Sequence, residues 1–247
     1  MTLQETAPRI QLCGSLAVTL GGRRVEQALP GNQGRLLFAY LVLNRTRPST
    51  RDELVDAVWP EGTPAASLSP VLSRLRRVLG DGLVTGTSQL RLVLPDESWV
   101  DVEVAVKAIH RAESAVALSE WTEAWAPARV ALHISSRTFL SGFDATWIEE
   151  RRRYLRAVRL SALECVAIVG LGLSGPEFAA AERCARKLIE LEPYRESGYR
   201  LLMESHARRD NVAEALRVYD SLRILLRDEL GMAPGESTQA LHKELLA

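Results

Sequence analysis

Residues 69–80 read SPVLSRLRRVLG, and this stretch decides how the first half of the sequence folds. Its apolar residues recur at helical spacing, which predicts a helix with one apolar face. That face holds Leu68, Val71, Leu72, Leu75, Val78 and Leu79. The other face holds Ser69, Ser73, Arg74, Arg76 and Arg77, with no acidic residue from Ser67 to Gly80. A helix docked in the major groove of DNA needs this division, because apolar residues hold it on its domain while arginines meet bases or phosphates. A solvated basic face fits the same residues.

Pro70 indicates where this helix begins. A proline inside a helix loses a hydrogen bond and clashes with the preceding turn, at a cost of about 3 kcal/mol or more. In the first turn it loses nothing, because the N–H groups there have no partner within the helix. The sequence therefore predicts a helix that starts near Leu68, with Ser67 as its N-cap.

The residues before this helix predict a small sheet and two further helices. Apolar residues alternate from Ile10 to Leu20 and are followed by Gly21-Gly22, which is typical of a small antiparallel sheet. A helical stripe predicts a first helix over residues 32–43. A second helix is expected over about 51–58, opened by a capping box of Thr50 and Glu53.

The residues after the arginine-rich helix predict a hairpin over 83–94, because apolar and β-branched residues surround the turn Gly86-Thr87-Ser88-Gln89. Sheet, three helices and hairpin together form a winged helix-turn-helix. Within the third helix we expect Arg74 and Arg77 to lie nearest the DNA, with Arg76 off to one side. Further candidate DNA contacts are Thr50 and Arg51, where free helix N–H groups suit a phosphate, and Thr85, Thr87, Ser88 and Arg91 of the hairpin. Ordinary turn and strand surface fits the hairpin residues equally well.

The second half of the sequence repeats with a period of 34 residues. The aligned pairs are Phe178 with Val212, Ala181 with Ala215, Ala185 with Tyr219, Leu188 with Leu222 and Leu191 with Leu225. This pattern indicates tetratricopeptide-type helix pairs, which stack and expose a groove. We therefore expect a mainly α fold with a small β part: a winged helix-turn-helix over residues 1–98 and an all-α repeat domain over 99–247.

Composition narrows the class of protein. The chain is 47% hydrophobic and 25% charged, as in ordinary globular proteins. No apolar stretch approaches the roughly 20 residues that span a bilayer, and the start MTLQETAPRI has no signal-peptide pattern. We expect a cytoplasmic protein with no membrane partner. Basic and acidic residues number 31 each, so any attraction to DNA must come from a local patch.

The sequence contains little that indicates an enzyme. Residues 170–175 match G-x-G-x-x-G, but their flanks read as helical, and glycines are expected between the two helices of a repeat. The four histidines and three cysteines have no metal-ligand spacing. We expect no catalytic residue, no cofactor and no metal. The charge run at 149–153 is expected to be a solvated face with internal ion pairs.

Taken together, these residues resemble regulators of the Streptomyces antibiotic regulatory protein (SARP) type, which join an OmpR-like winged helix to a bacterial transcriptional activation domain. The motifs that carry the resemblance lie at 11–14 (QLCG), 51–54 (RDEL) with Trp59, 73–80 (SRLRRVLG), 147–152 (WIEERR), 192–196 (EPYRE), 213–216 (AEAL) and 228–235 (DELGMAPG).

The resemblance implies that two copies bind direct repeats of double-stranded DNA near a promoter, and that they recruit RNA polymerase. It also implies an activator, often of a biosynthetic cluster for an antibiotic or another secondary metabolite. About nine residues precede the first predicted strand, so aspartyl phosphorylation is not the expected switch.

A second hypothesis is a peptide-binding or scaffold protein that uses the repeat groove, with the winged helix as a protein-interaction module. The zero net charge and Pro70 favour it. Salt discriminates between the two hypotheses, because DNA binding releases counterions and weakens steeply as salt rises, whereas an apolar peptide groove responds far less.

Overall fold

The computed structural model describes residues 7–62, 67–80, 82–173 and 175–247. The strands are β1 (Arg9–Gln11), β2 (Ala17–Leu20), β3 (Arg23–Arg24), β4 (Ser49–Thr50), β5 (Val84–Thr85), β6 (Gln89–Leu92) and β7 (Trp99–Val100). The helices are α1 (Gly31–Leu43), α2 (Arg51–Val58), α3 (Leu68–Leu79), α4 (Asp101–Ala117), α5 (Trp121–Ser135), α6 (Thr146–Leu173), α7 (Phe178–Leu191), α8 (Glu196–Ala207), α9 (Val212–Leu230) and α10 (Glu236–Leu246). The predicted fold class, mainly α with a small β part, is confirmed.

Contacts divide the chain into two compact units. The first contains residues 1–104 and 134–156, and the second contains 105–133 and 157–247. Residues 134–156 follow the predicted division near residue 98 but pack within the first unit. Each unit therefore combines two separate segments of the chain, and the units do not correspond to one cut near residue 98.

The first sheet joins the alternating segment to a strand that lies far along the chain. β1, β2 and β3 pair antiparallel, as the sequence predicts. Gly21 and Gly22 turn the chain between β2 and β3 at φ values of 51° and 75°, a region that glycine enters without strain. β7 pairs parallel to β1, with Val100 opposite Ile10. The sequence did not predict β7, because two residues are too few to show an alternating pattern.

Helices α1, α2 and α3 lie within one or two residues of their predicted bounds. Thr50 and Glu53 form the predicted capping box: the Thr50 hydroxyl accepts from Glu53 N at 3.2 Å, and the Glu53 carboxylate accepts from Thr50 N at 2.9 Å. α3 begins at Leu68, which confirms the start that Pro70 indicates. The predicted cap is wrong, because Ser67 has helical angles and makes no side-chain capping bond.

The hairpin after α3 forms as predicted and is joined by an unpredicted strand. β5 and β6 pair antiparallel, and β4 pairs with the other edge of β6, so the strand order is β4-β6-β5. Gly86 turns the hairpin at φ 90°, and a Cβ on this residue would lie 1.8 Å from the Gln89 carbonyl oxygen. Glycine is therefore required at this position, both for its backbone angle and for space.

The segment 134–156 packs against the sheet and helices of the first unit. Phe139 forms a β-bridge with Cys13. The Trp147 indole donates from Nε1 to the Ala57 carbonyl oxygen at 2.9 Å, and its ring packs edge-on against Tyr40 with centroids 5.4 Å apart. These contacts explain why the first unit includes residues that follow the winged helix by more than 30 positions.

Arg152 holds the turn that leads into α6. Its guanidinium donates to the carbonyl oxygens of Phe139, Leu140 and Phe143, and it pairs with Asp144 and Glu149. The Glu149 pair agrees with the internal ion pairs expected for this charge run. The expectation of a solvated face is wrong for Arg152, whose side chain is 22% exposed because the turn wraps around it.

The second unit contains the helix pairs that the 34-residue period predicts. α7 and α9 begin at Phe178 and Val212, the two aligned positions. The aligned residues Ala181, Ala185 and Leu188 of α7, and Ala215, Tyr219 and Leu222 of α9, are all buried. The period fails for α8 and α10, because α9 has 19 residues and α7 has 14.

The glycine motif spans the end of α6, so the expected position between two helices is correct for one of its glycines and wrong for two. Gly170 and Gly172 belong to α6, whereas Gly175 lies between α6 and α7; Ser174 of the motif lies outside the described residues. A Cβ on Gly172 would lie 2.7 Å from the Trp121 ring, and one on Gly170 would lie 2.8 Å from the Glu177 carbonyl oxygen. These glycines allow close packing and form no strand-to-helix phosphate loop.

Over the described ranges, none of the helices combines the length and the apolar character that crossing a membrane requires.

Candidate nucleic-acid interface

The outer face of α3 presents two arginines to solvent. Ser69, Ser73, Arg74 and Arg77 are exposed, while the opposite face of the helix is buried. Arg74 donates from Nε to the carbonyl oxygen of Pro70 in its own helix, at 3.3 Å. The Arg77 side chain makes no hydrogen bond or ion pair with any residue in the described ranges. Both guanidinium groups therefore keep most of their donors available to a ligand.

Arg76 is placed differently from its two neighbours. It is partly buried, and its guanidinium donates from Nε to the Val84 carbonyl oxygen at 3.3 Å and from Nη2 to the Gly86 carbonyl oxygen at 2.5 Å. Both acceptors lie on the hairpin. The expectation that Arg76 points to one side agrees with these bonds.

Arg51 links three elements at the start of α2. Its Nη2 donates to the Ser69 hydroxyl at 2.6 Å, and its Nη1 donates to the Thr87 carbonyl oxygen at 3.3 Å. Ser69 is at the start of α3, and Thr87 is in the hairpin turn. The structure thus brings the beginnings of α2 and α3 together with the hairpin turn.

Thr50 lies beside Arg51, but its capping groups are already used by the capping box. The pKa of the Glu53 carboxyl is lowered, chiefly by hydrogen bonds from the Arg47 guanidinium and then by the Thr50 N–H. A phosphate approaching this helix end would therefore meet an ionised carboxylate as well as free N–H groups. Thr50 remains a predicted contact.

The hairpin residues divide into an exposed group and a tethered one. Thr85, Thr87 and Ser88 are exposed. Arg91 is also exposed, but its side chain donates from Nε to the Arg45 carbonyl oxygen at 2.9 Å and makes no hydrogen bond to α3 or to the hairpin turn in the described ranges. The structure therefore groups the turn with α3, and it does not bring Arg91 into that group.

The arginines of α3 have no acidic partner among the described residues. Within the part of the chain that the structure describes, Arg74, Arg76 and Arg77 have no carboxylate at ion-pair distance. Asp81, the next acidic residue along the chain, lies outside that part. Unpaired arginines on one helix face form a local positive surface in a chain of zero net charge, as binding to a polyanion requires.

The other titratable groups that the sequence singled out form no metal centre in the described ranges. His206 is buried with its Nε2 3.4 Å from an Arg186 nitrogen, and the His242 ring stacks on Tyr219 at 3.8 Å. Cys13, Cys165 and Cys184 are free and buried, and burial raises the pKa of the Cys184 thiol to about 11.

A cavity of about 340 Å³ lies in the second unit. Its wall includes Trp121, Ile168 and Leu201 together with Arg200, Glu204 and Arg208. Burial raises the pKa of the Glu204 carboxyl. The mixture of apolar and charged groups suits an extended peptide or a small amphipathic ligand better than a nucleic acid.

Sequence reasoning missed Trp147 as a packing residue of the first unit, and it missed the bonds from Arg51 and Arg76 to the hairpin. Hydrophobic periodicity locates buried faces, but a guanidinium that reaches a carbonyl oxygen 10 or 36 residues away leaves no periodic signal.

Comparisons with known proteins identify regulatory proteins that are similar to this chain. The family model described as "Bacterial transcriptional activator domain" matches residues 100–246. The regulatory protein AfsR of Streptomyces coelicolor is 34% identical over 98% of this chain, and the transcriptional regulatory protein EmbR of Mycobacterium tuberculosis is 28% identical over 95% of it. The chain spans 24% of AfsR and 62% of EmbR.

A solved structure has the same fold. Mycobacterium tuberculosis EmbR in complex with a low affinity phosphopeptide superimposes with a TM-score of 0.82 at 25% identity, over 97% of this chain and 65% of that one. The family model covers more than half of the chain, and the resemblance to SARP-type regulators extends over both units. The chain belongs to the family of SARP-type regulators that carry a bacterial transcriptional activator domain.

Proposed function

We propose that this protein is a transcription regulator that binds double-stranded DNA sequence-specifically through the exposed face of α3. The observation that carries the proposal is the pair of exposed arginines, Arg74 and Arg77, one turn apart on a helix without described carboxylate partners. Arginine offers two parallel donors to the major-groove edge of guanine and binds phosphates equally well. The relatives AfsR and EmbR are named as regulatory proteins, which supports the same function.

The proposed contacts follow from the placement of the side chains. Ser69, Ser73, Arg74 and Arg77 meet the major groove, and Thr85, Thr87 and Ser88 of the hairpin meet the neighbouring backbone or the minor groove. Thr50, Arg51, Arg76 and Arg91 stay predicted contacts from the sequence.

The wider role rests on family membership. We infer an activator, present in the cytoplasm, whose two copies bind direct repeats near a promoter as a homodimer on DNA and recruit RNA polymerase through the repeat domain. Genes of a secondary-metabolite or antibiotic cluster are the proposed targets. The regulator performs no catalytic step in this scheme.

The test is a selection of bound duplexes from a random DNA library by the full chain, compared with the double variant R74A/R77A. The matched control is R217A/R223A, which removes two arginines that are ion-paired on α9. We expect wild type and control to enrich the same direct repeat. Each α3 substitution should weaken binding by about 1–3 kcal/mol where the arginine touches a base.

Salt adds an independent measurement. Each phosphate contact makes log K fall with log salt by a slope of about 0.9. An R74A/R77A variant that binds the wild-type sequence with unchanged affinity and salt slope would contradict the assignment of α3.

A second candidate function is peptide binding by the second unit. The cavity beside Trp121 and Glu204 favours it, because the cavity combines apolar walls with a half-buried carboxylate that accepts no hydrogen bond from the described residues. A peptide selected by the full chain should then lose affinity in Glu204→Ala, with DNA binding unchanged. Loss of peptide binding in R74A/R77A instead would place the peptide on the winged helix.

A further inference from the structure

The turn of the hairpin is held from two helices by two arginines. Arg76 of α3 donates to the carbonyl oxygens of Val84 and Gly86, at 3.3 and 2.5 Å. Arg51 of α2 donates to the carbonyl oxygen of Thr87 at 3.3 Å, and the same guanidinium donates to the Ser69 hydroxyl of α3 at 2.6 Å. Three of four consecutive residues, 84–87, thus have their carbonyl oxygens bound by a guanidinium.

The hairpin needs such support because its own strands are short. β5 has two residues and β6 has four. β6 is held on its other side by β4 and by the bond from Arg91 to the Arg45 carbonyl oxygen. β5 and the turn lie on the free edge of this sheet, where the two arginines supply the bonds to α2 and α3.

We propose that Arg51 and Arg76 are positioning residues that clamp the hairpin turn at a fixed place beside α3, and that their main role is not direct contact with DNA. This inference rests on the proposed DNA-binding function. It reassigns two arginines that the sequence placed among the DNA contacts. The clamp fixes the distance from Arg74 and Arg77 to the exposed Thr87 and Ser88. The helix and the turn therefore contact the duplex at a fixed spacing from each other.

The chemistry of arginine explains why this residue type can clamp the hairpin turn. A planar guanidinium presents several donors in a rigid fork and can bridge two acceptors, whereas a lysine ammonium keeps the charge but lacks the fork. An Arg→Lys exchange therefore separates the two roles. A phosphate contact survives the exchange in large part, but a clamp between two fixed carbonyl oxygens does not.

The first experiment measures hydrogen–deuterium exchange of the free full chain in R51K and R76K, with R77K as the matched control. We expect amides of residues 84–90 to exchange about tenfold faster in R51K and R76K, because one or two charge-assisted bonds that oppose opening are lost. Amides of α3 and the whole of R77K should match wild type. Unchanged exchange at 84–90 in both variants overturns the clamp, whether or not the protein binds DNA.

The second experiment is a hydroxyl-radical footprint on the duplex that wild type selects. We expect R51K and R76K to lose protection at the position next to the major-groove site while the protection by α3 remains, and R77A to show the opposite pattern. Lysine variants with wild-type footprint and affinity, beside alanine variants that lose both, assign the arginines to phosphate contact and overturn the clamp. If wild type selects no duplex, the proposed function fails, and the exchange experiment alone decides the clamp.

Discussion

The arginines of α3 and those of α9 differ in one respect, the presence of an acidic partner. All three arginines of α9 form ion pairs with a glutamate or an aspartate on the same helix: Arg217, Arg223 and Arg227. Arg74, Arg76 and Arg77 of α3 have no such partner within the described ranges. Each helix carries three arginines, yet of the two only α3 leaves their positive charge uncompensated by described carboxylates.

The comparison shows why total charge carries little information about this chain. Basic and acidic residues balance at 31 each, and residues 1–98 contain 11 basic and 9 acidic ones. The placement of the carboxylates decides which cations can meet a polyanion, because a paired guanidinium must first lose its own partner. Supplying a partner to α3, or removing one elsewhere, should therefore change binding and stability in opposite ways.

The largest effect is expected when α3 receives a carboxylate. In Ser73→Glu the new side chain lies one turn before Arg77 and next to Arg74, so it can pair with an arginine and repel phosphates. We expect the affinity for the selected duplex to fall about 100-fold, because like charges placed together at an interface cost several kcal/mol. Fluorescence anisotropy with a labelled duplex measures this change.

Ser73→Gln is the control, since the glutamine side chain has the shape of glutamate without its charge. Equal affinities of the glutamate and glutamine variants would show that the charge of α3 does not govern binding. Urea unfolding of Ser73→Glu should show no loss of stability, because a Glu four residues before an Arg adds a few tenths of a kcal/mol to a helix.

A smaller effect, on stability instead of binding, is expected at Arg45, one of the ion-paired arginines of the first unit. Arg45 and Glu103 form a two-bond ion pair at 2.7 and 2.8 Å, with side chains 23% and 32% exposed. Glu103→Gln leaves a half-buried guanidinium with a weaker acceptor. We expect the free energy of unfolding in urea to fall by about 1–2 kcal/mol.

Arg77→Ala gives the matching comparison, because Arg77 is exposed and has no partner in the described ranges. Its unfolding should equal that of wild type within about 0.5 kcal/mol. A large loss of stability in Arg77→Ala, or none in Glu103→Gln, would remove the distinction between arginines that hold the fold and arginines that are available for binding.

Much of the fold was predictable because helices and strands with one buried face leave a period in the sequence. The 34-residue spacing of Phe178 and Val212 located α7 and α9, and Pro70 located the start of α3. β4 and β7 were not predictable, because a two-residue strand leaves no period and each is paired by a partner distant along the chain. The packing of Trp147 on Tyr40 is likewise a long-range contact.

For the candidate site, the residue types were predictable from the sequence, but which side chains are already bound within the fold was not. The five donors on each guanidinium can serve a phosphate or a carbonyl oxygen, and the outcome depends on whether the side chain lies near the hairpin turn. Arg76 and Arg77 are adjacent in sequence, yet Arg76 is partly buried and binds the Gly86 carbonyl oxygen, whereas the Arg77 side chain is exposed and has no partner in the described ranges.

The smallest effect is expected at Glu182, which serves two arginines on the surface of the second unit. Its carboxylate pairs with Arg186 at 2.9 Å and with Arg209 at 2.7 Å. The Arg186 hydrogen bond, followed by the charges of Arg209 and Arg186, lowers the pKa of Glu182 below its ordinary value near 4.5. Both arginines are more than 40% exposed, so solvent screening limits the loss of stability in Glu182→Gln to less than about 1 kcal/mol.

The pH dependence of this small difference has a defined sign. A carboxyl whose pKa is lowered by folding stabilises the protein above its unfolded-state pKa, and the contribution disappears as pH falls through the folded-state value. Urea unfolding should thus separate wild type from Glu182→Gln at neutral pH, with the two converging as pH falls below the ordinary value near 4.5. A gap that widens on acidification would contradict the ion pair as its cause.

The Glu182→Gln variant also leaves Arg186 and Arg209 without their carboxylate partner. We expect this variant to bind the selected duplex with wild-type affinity, because neither arginine lies beside a hairpin that could contact the same duplex. An unpaired arginine therefore becomes part of a DNA-binding surface only where the surrounding elements also meet the DNA, as α3 and the hairpin do in the proposed function.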